Sequence, residues 1–333
     1  MSDGEPSSTK QDFPCAARVP GRGTFFIMSY NFNLSNCTLC PRNCGVNREA
    51  GQTGFCRVPA QLIAARAGLL AYEEPCLVGS KGSGAVFFSG CNLGCIFCQN
   101  HEISGTDRKE LPPGKQITAQ RLSEVFLELQ AQGAANINLV TPTHYLHRII
   151  PALEKARAEG LSVPVVYNTS AYEKAEMLRL LEGLVDIYLP DLKYFSDTLA
   201  MEYSRAPRYF ETAAAAIEEM VRQCPEPLLD DDGQMRRGVI VRHLALPGHE
   251  EDSRAVLRYL YQSYGDRIFI SILNQYTPMP AVKKHPLLSR ALTEEEYDRL
   301  VDYAISLGVE NGYIQEGGTA DESFIPVWDG SGL

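Results

Sequence analysis

From Val86 onward, short apolar runs alternate with longer amphipathic stretches. The runs predict strands at Val86–Phe88, Ile137–Val140, Val163–Tyr167, Ile187–Leu189, Val239–Arg242 and Ile268–Leu273, with a further short one at Tyr313–Gln315. Between them, apolar positions recur at helical spacing. In the first such stretch Leu122, Val125, Phe126 and Leu129 share one face, Thr118 is placed to cap, and Gly133 ends the helix. Further helices are predicted over His147–Glu159, Lys174–Glu182, Tyr209–Gln223, Ser253–Tyr264 and Glu294–Leu307. Repeated strand–helix alternation predicts an α/β fold with a parallel sheet and helical crossovers. About six units, short of the eight of a closed barrel, imply an open partial (β/α)6 TIM-like barrel.

Upstream the pattern changes. Residues 1–27 are rich in Ser, Pro, Gly and charge and predict a disordered tail, with Met28 a candidate initiator. Residues 28–80 hold four closely spaced cysteines and predict a small metal-binding module, leaving 81–333 as the barrel.

Polar residues follow each apolar run: Cys91; Thr141 and His144; Asn168 and Thr169; Asp191 and Lys193; His243; Asn274 and Gln275; Gln315 and Glu316. Any loop needs polar residues, but in α/β barrels the C-terminal strand ends carry the active site. Their recurrence beside a cysteine cluster places the expected site on that rim. Gly79–Gly84 lacks the spacing of a phosphate-binding loop and precedes a strand, so it is expected to be a turn.

The 333 residues suffice for a large core, and 44% hydrophobic with 22% charged residues is an ordinary globular composition. A net charge of −10 argues against a general nucleic-acid or anionic-membrane surface. No run approaches the roughly 20 apolar residues of a membrane span, and MSDGEPSSTKQDF lacks the charged-then-apolar order of a secretory signal. Ten cysteines in such a chain fit a reducing cytosol, where metal centres are commoner fates than disulfides. Cys15, Cys76 and Cys224 stand apart and are expected to be a tail, a loop and a helix-end thiol.

The sharpest signal is Gly90-CNLGCIFC-Gln99, a C-x3-C-x2-C triplet directly after a strand. Three thiolates can hold three irons of a cubic iron–sulfur cluster. Closed clusters use four, so the fourth iron is left with an open position, which is where metals do chemistry. A zinc knuckle or three buried thiols are the plainer alternatives, but zinc favours C-x2-C pairs separated by a longer loop.

At these residues the chain resembles the radical SAM enzymes, and the runs FFSGCNLGCIFCQN, NINLVTPTH, VVYNTS, YLPDLKYF, LPGH and ILNQYTPMP are similar to the branch that activates pyruvate formate-lyase. The resemblance runs from about Leu34 to the end. It implies a [4Fe-4S] cluster on Cys91, Cys95 and Cys98, whose unique iron binds S-adenosylmethionine (SAM). Reductive cleavage of SAM then gives a 5′-deoxyadenosyl radical that abstracts hydrogen, with a flavodoxin or ferredoxin as electron donor. It also implies SAM contacts at Asn168, Thr169 and Ser170. Asp191 and Lys193 match the Asp-x-Lys of glycyl-radical activating enzymes, where the lysine reaches SAM. Thr141-Pro-Thr-His144 stands where many relatives have Gly-Gly-Glu-Pro, so Thr141 and Thr143 hydroxyls or backbone carbonyls would serve in place of the carboxylate. Phe97 is placed to pack on the cluster or the adenine, or else in the core. His144, His243, Gln275 and Tyr276 are weaker candidates.

The second group, Cys37-x2-Cys40-x3-Cys44-x11-Cys56, departs from the ferredoxin run in spacing. Zinc, a second iron–sulfur cluster and unligated thiols all remain open for it. The expected activity is SAM-dependent hydrogen abstraction, with a glycyl-radical enzyme as partner. Radical modification of a small molecule or peptide is one alternative, and a non-catalytic electron-transfer or metal-sensing protein is the other.

Overall fold

The computed structural model describes residues 32–105, 111–315 and 326–333; the predicted tail, Met28, Cys15 and Glu316 lie outside the described residues. Among the described residues ten strands form one sheet system: β1 Leu62–Leu70, β2 Ser83–Phe88, β3 Lys115–Ile117, β4 Ile137–Val140, β5 Val165–Thr169, β6 Ile187–Pro190, β7 Leu228–Leu229, β8 Met235–Leu244, β9 Phe269–Leu273 and β10 Gly312–Ile314. The helices are α1 Pro75–Val78, α2 His101–Ser104, α3 Ala119–Ala131, α4 Leu146–Ala158, α5 Ala175–Leu178, α6 Asp197–Ser204, α7 Tyr209–Gln223, α8 Glu250–Tyr264 and α9 Glu294–Leu307.

The sheet runs β10-β9-β8-β6-β5-β4-β2-β1-β3. Along this order every pair from β2 to β10 is parallel, β1 lies antiparallel on β2 and β3 antiparallel on β1, while β7, off this path, pairs antiparallel with β8. No pairing joins β10 to β3 among the described residues, so the sheet is open. Strands β2, β4, β5 and β6 are buried along nearly their whole length because crossover helices cover the outer face and the barrel interior the other. α3 forms as its pattern predicts: Thr118 Oγ1 accepts from Arg121 N, and Leu122, Val125, Phe126 and Leu129 are all buried.

Of the boundaries that differ from expectation, three bear on what surrounds the site. β5 starts two residues late, after Pro164, and extends through Asn168 and Thr169, which are therefore strand residues rather than loop residues. Helix 174–182 reduces to the single turn α5 and a following 3₁₀ turn over Arg179–Leu181. β1 falls within 28–80, the stretch assigned to the cysteine-rich module, and ladders onto β2 from Ala64 to Leu70 with a bulge at Ala64/Arg66.

The segment preceding β1 contains neither helix nor strand from residue 32 to 61. Arg48 is its anchor, buried at 1% exposure and donating from Nη1 to the His144 carbonyl (2.9 Å) and from Nη2 to the Pro59 carbonyl (2.7 Å).

Candidate active site

Between β2 and α2 the chain makes the loop that carries Cys91, Cys95 and Cys98. Gly90 opens it at φ +87°, and a Cβ there would lie 2.5 Å from the Cys56 carbonyl oxygen, so only glycine fits. Leu93 and Phe97 are buried and line the same cavity as the cysteines. The end of α6 pins the loop, with Gly94 N donating to Ser204 O (3.0 Å) and Ile96 N to Tyr203 O (2.8 Å). Ser204 Oγ also donates to Cys95 Sγ at 2.9 Å, and Leu93 N to Cys91 Sγ at 3.3 Å. Donors aimed at sulfur favour the thiolate that a metal requires.

The three thiols open into one cavity of about 240 Å³ at the C-terminal ends of the strands. From β4 and its loop comes Thr141; from β5, Asn168, Thr169 and the following Ser170; from β6, Asp191 and Lys193. Phe97 and Tyr276 face each other edge-on across it, ring centroids 6.0 Å apart. Burial and neighbouring thiolates push the Cys98 thiol up to about 12, and Cys91 and Cys95 are raised by burial as well. Metal binding must therefore expel their protons. Among the described residues no three His, Cys, Asp or Glu side chains converge closely enough to hold a single ion. A cluster does not ask for that convergence, since each thiolate binds a separate iron, and the triplet fits a cubane with one open corner.

Beside the thiols lies a buried ionic network. Asp191 accepts from Lys193 Nζ at 2.7 Å and from Arg242 Nε at 2.8 Å. Arg242 also donates from Nη2 to Asn168 Oδ1 (2.7 Å) and pairs through Nη1 with Glu73 (3.2 Å). Burial alone would raise Asp191, but Arg242 and Lys193 outweigh it and hold the carboxyl below its ordinary range. Burial likewise opposes the Lys193 charge, and Asp191 overcomes it. Glu73 is different: burial pushes it up to about 8 in spite of Arg242, with neighbouring Glu74 adding to the rise. Tyr209 braces the rim, its hydroxyl lying within hydrogen-bond distance of Lys193 N, Ser170 O and Asp191 O (2.8–2.9 Å).

Thr141 has φ +60°, with its N–H donated to the Asn168 carbonyl at 2.9 Å. A β-branched residue in the left-handed region costs about 1–3 kcal/mol and is found where surrounding structure imposes it.

Thr143 is the one predicted cofactor contact that does not line the cavity. It is 1% exposed and bonds through Oγ1 to Glu173, which also accepts from Thr169 Oγ1. His144 and His243 are buried structural residues: His144 Nε2 lies 2.9 Å from Ser89 O, His243 Nδ1 2.8 Å from Leu192 O, and burial lowers both, His144 to about 3. Arg242 had a visible trace, a charge inside the apolar run Val239–Leu244; Glu73 had none, lying in the connection between β1 and α1.

The chain is 29% identical over 275 residues to Uncharacterized protein MJ0674 of Methanocaldococcus jannaschii, spanning 81% of this chain and 75% of that one. Among solved structures it is similar to a domain of pyruvate-formate lyase-activating enzyme from Bacteroides vulgatus (TM-score 0.37, 13% identity, 52% of this chain and 92% of that one). It is also similar to Streptococcus suis SuiB bound to S-adenosylmethionine (TM-score 0.44, 13% identity, 68% of this chain and 48% of that one). The family profile described as the Radical SAM superfamily matches residues 85–260, more than half of the 333 and the whole run from the cysteine triplet to Arg242, and the chain belongs to that superfamily.

Proposed function

We propose that this chain cleaves SAM reductively and directs hydrogen abstraction at a glycyl residue of a partner protein. The observation that carries it is the single cavity walled by Cys91, Cys95, Cys98, Thr141, Asn168, Thr169, Ser170, Asp191 and Lys193. Cys91, Cys95 and Cys98 would hold a [4Fe-4S] cluster, which would supply the electron for reductive cleavage of SAM and an open coordination position for it.

The protein's own part is placement. Lys193, kept charged by Asp191, offers an ammonium to the carboxylate of SAM. Asn168, Thr169 and Ser170 offer hydroxyl and amide groups to the ribose and carboxylate. Thr141 presents its hydroxyl or its carbonyl from a conformation it would not adopt unaided. Phe97 and Tyr276 shield the reacting region from water. The glycyl partner is supported by the Asp191-x-Lys193 pattern, and a flavodoxin or ferredoxin in a reducing cytosol is the donor this chemistry calls for. Among the described residues no helix is long and apolar enough to cross a membrane.

A second reading has its own observation. A neighbouring cavity of about 360 Å³ shares Glu73, Gln99, Arg242 and Gln275 with the first, room for a small molecule or a single peptide side chain. Anaerobic turnover with SAM, dithionite and a candidate glycyl-radical protein separates the two. A protein glycyl radical in the electron paramagnetic resonance spectrum supports activation. 5′-Deoxyadenosine formed with no protein radical from any candidate partner favours the second reading.

A further inference from the structure

Cys37, Cys40, Cys44 and Cys56 are nineteen residues apart at most along the chain, yet all four line one small void, together with Arg42, Arg48 and Gly54. The segment around them has no regular secondary structure and a minor apolar cluster of only Leu34, Cys37, Leu39 and Ala60. So small a cluster leaves the segment dependent on its contacts with the barrel, such as those of Arg48 and Val58, and on any staple the thiols supply. The void is shaped for sulfur. A Cβ at Gly54 would lie 2.8 Å from Cys44 Sγ, Phe55 N donates to that sulfur at 3.3 Å, and buried Arg48 brings Nη1 within 3.8 Å of Cys37 Sγ.

Tetrahedral zinc draws its sulfurs onto one point. Here no three of the four approach closely enough to share an ion. Four thiolates are the complete ligand set of a closed cubane.

Its position gives it a use. The void borders His144, and the Cys56 carbonyl touches Gly90, next to Cys91. Arg42 spans the gap: its guanidinium lies 3.6 Å over the Phe55 ring and its Nε donates to Asn92 O at 2.8 Å, inside the triplet loop. Cys44, at the other side, is exposed.

We propose that Cys37, Cys40, Cys44 and Cys56 hold a second [4Fe-4S] cluster, which relays electrons one at a time from a low-potential donor protein of the flavodoxin or ferredoxin class to the cluster at Cys91, Cys95 and Cys98. In each step the quartet cluster gains one electron as the donor is oxidised by one. It returns to its oxidised state as the triplet cluster is reduced. The relay rests on the SAM-cleavage reading above, but the cluster site does not.

The test uses the full chain with Cys91→Ala, Cys95→Ala and Cys98→Ala combined, reconstituted anaerobically and analysed for iron, sulfide and zinc. The quartet should retain about four irons and four sulfides with the Mössbauer signature of a cubane. About one zinc without iron, or neither metal, overturns the site. If that variant is insoluble, wild-type protein decides: about eight irons support the second cluster and about four overturn it. Neither measurement depends on SAM chemistry, so failure here is distinct from failure of the proposed function. For the relay, Cys44→Ser should lower the ratio of 5′-deoxyadenosine formed with reduced flavodoxin to that formed with dithionite by an order of magnitude. An unchanged ratio overturns it.

Discussion

Replacing Arg242 with methionine, which keeps most of its volume and removes its charge, should destabilise the barrel in a pH-dependent way. Arg242 is 15% exposed and its guanidinium neutralises Asp191 (19%) and Glu73 (8%) together. Taking away one partner of a buried ion pair costs about 3–5 kcal/mol, because the other charge stays behind in a poor solvent. Asp191 retains Lys193; Glu73 retains no cation among its Arg242, Glu74 and Asn168 neighbours. Its escape is to keep a proton. Glu73 already lies raised at about 8, above the ordinary carboxylate value. The folded state therefore binds a proton that the unfolded chain has released, and stability falls as pH rises from the ordinary carboxylate range through 8. Without Arg242 the carboxyl rises further and the loss continues to higher pH. At pH 6 Glu73 is neutral in both proteins, so the variant loses only what Arg242 gives Asp191 and Asn168. At pH 9 it loses the full amount. With about 2–4 °C in Tm per kcal/mol for chains of 150–250 residues, and less for longer ones, the deficit should be about 6–10 °C at pH 9 and about half that at pH 6. Anaerobic thermal melts of cluster-loaded protein measure it. Adding Glu73→Gln should recover part of the pH 9 deficit, since an amide carries no charge to strand. A deficit that is the same at both pH values, or no deficit, refutes the assignment of Arg242 as the shared counter-charge.

Further outcomes follow from the same geometry. Lys193→Ala should weaken SAM binding by about 1.5–3 kcal/mol, ten- to a hundredfold, while iron content stays at the wild-type value; isothermal titration beside iron analysis checks both. Asp191→Asn keeps only one of the two oxygens that accept from Lys193 and Arg242, but Arg242 retains Glu73 and Asn168. The variant should therefore retain the fold and should impair 5′-deoxyadenosine formation more than cluster loading; equal activity would return the pair to a structural role. Thr141→Gly should raise Tm slightly or leave it unchanged by relieving the left-handed strain, yet slow SAM cleavage if the hydroxyl is a contact, whereas unchanged kinetics would leave only the backbone in that role.

How much was legible in the sequence divides along physical lines. Most of the parallel strands were readable because crossover helices bury their outer faces, so each has a short apolar run at its centre, and α3 was readable to its cap. β1 was not: its Ala and Gly residues and central Arg66 mask both the alternation and the apolar run, and its partner is the strand that follows in the chain across a short helix. α1, α2 and α5 are single turns, too short to show a period. In the site, the cysteines, Asn168, Thr169, Ser170, Asp191 and Lys193 were visible because a strand end delivers polar residues to one rim. Thr143 was misplaced because the 3₁₀ turn Thr143–Tyr145 rolls it into the core toward Glu173. The Glu73–Arg242 pair joins positions 169 residues apart and has no local signature, so only the fold reveals it.

The most direct measurement is anaerobic reconstitution of wild-type protein with iron and sulfide, reduction by dithionite with SAM, and quantitation of 5′-deoxyadenosine. Wild-type protein should form it, with an electron paramagnetic resonance signal that changes when SAM is added. Cys91→Ala, Cys95→Ala and Cys98→Ala should each form none, since two protein thiolates cannot hold the cluster in its catalytic geometry. Full SAM cleavage in any one of the three variants, or none in iron-loaded wild-type protein, would contradict the central claim that these three thiolates hold the cluster at which SAM is split.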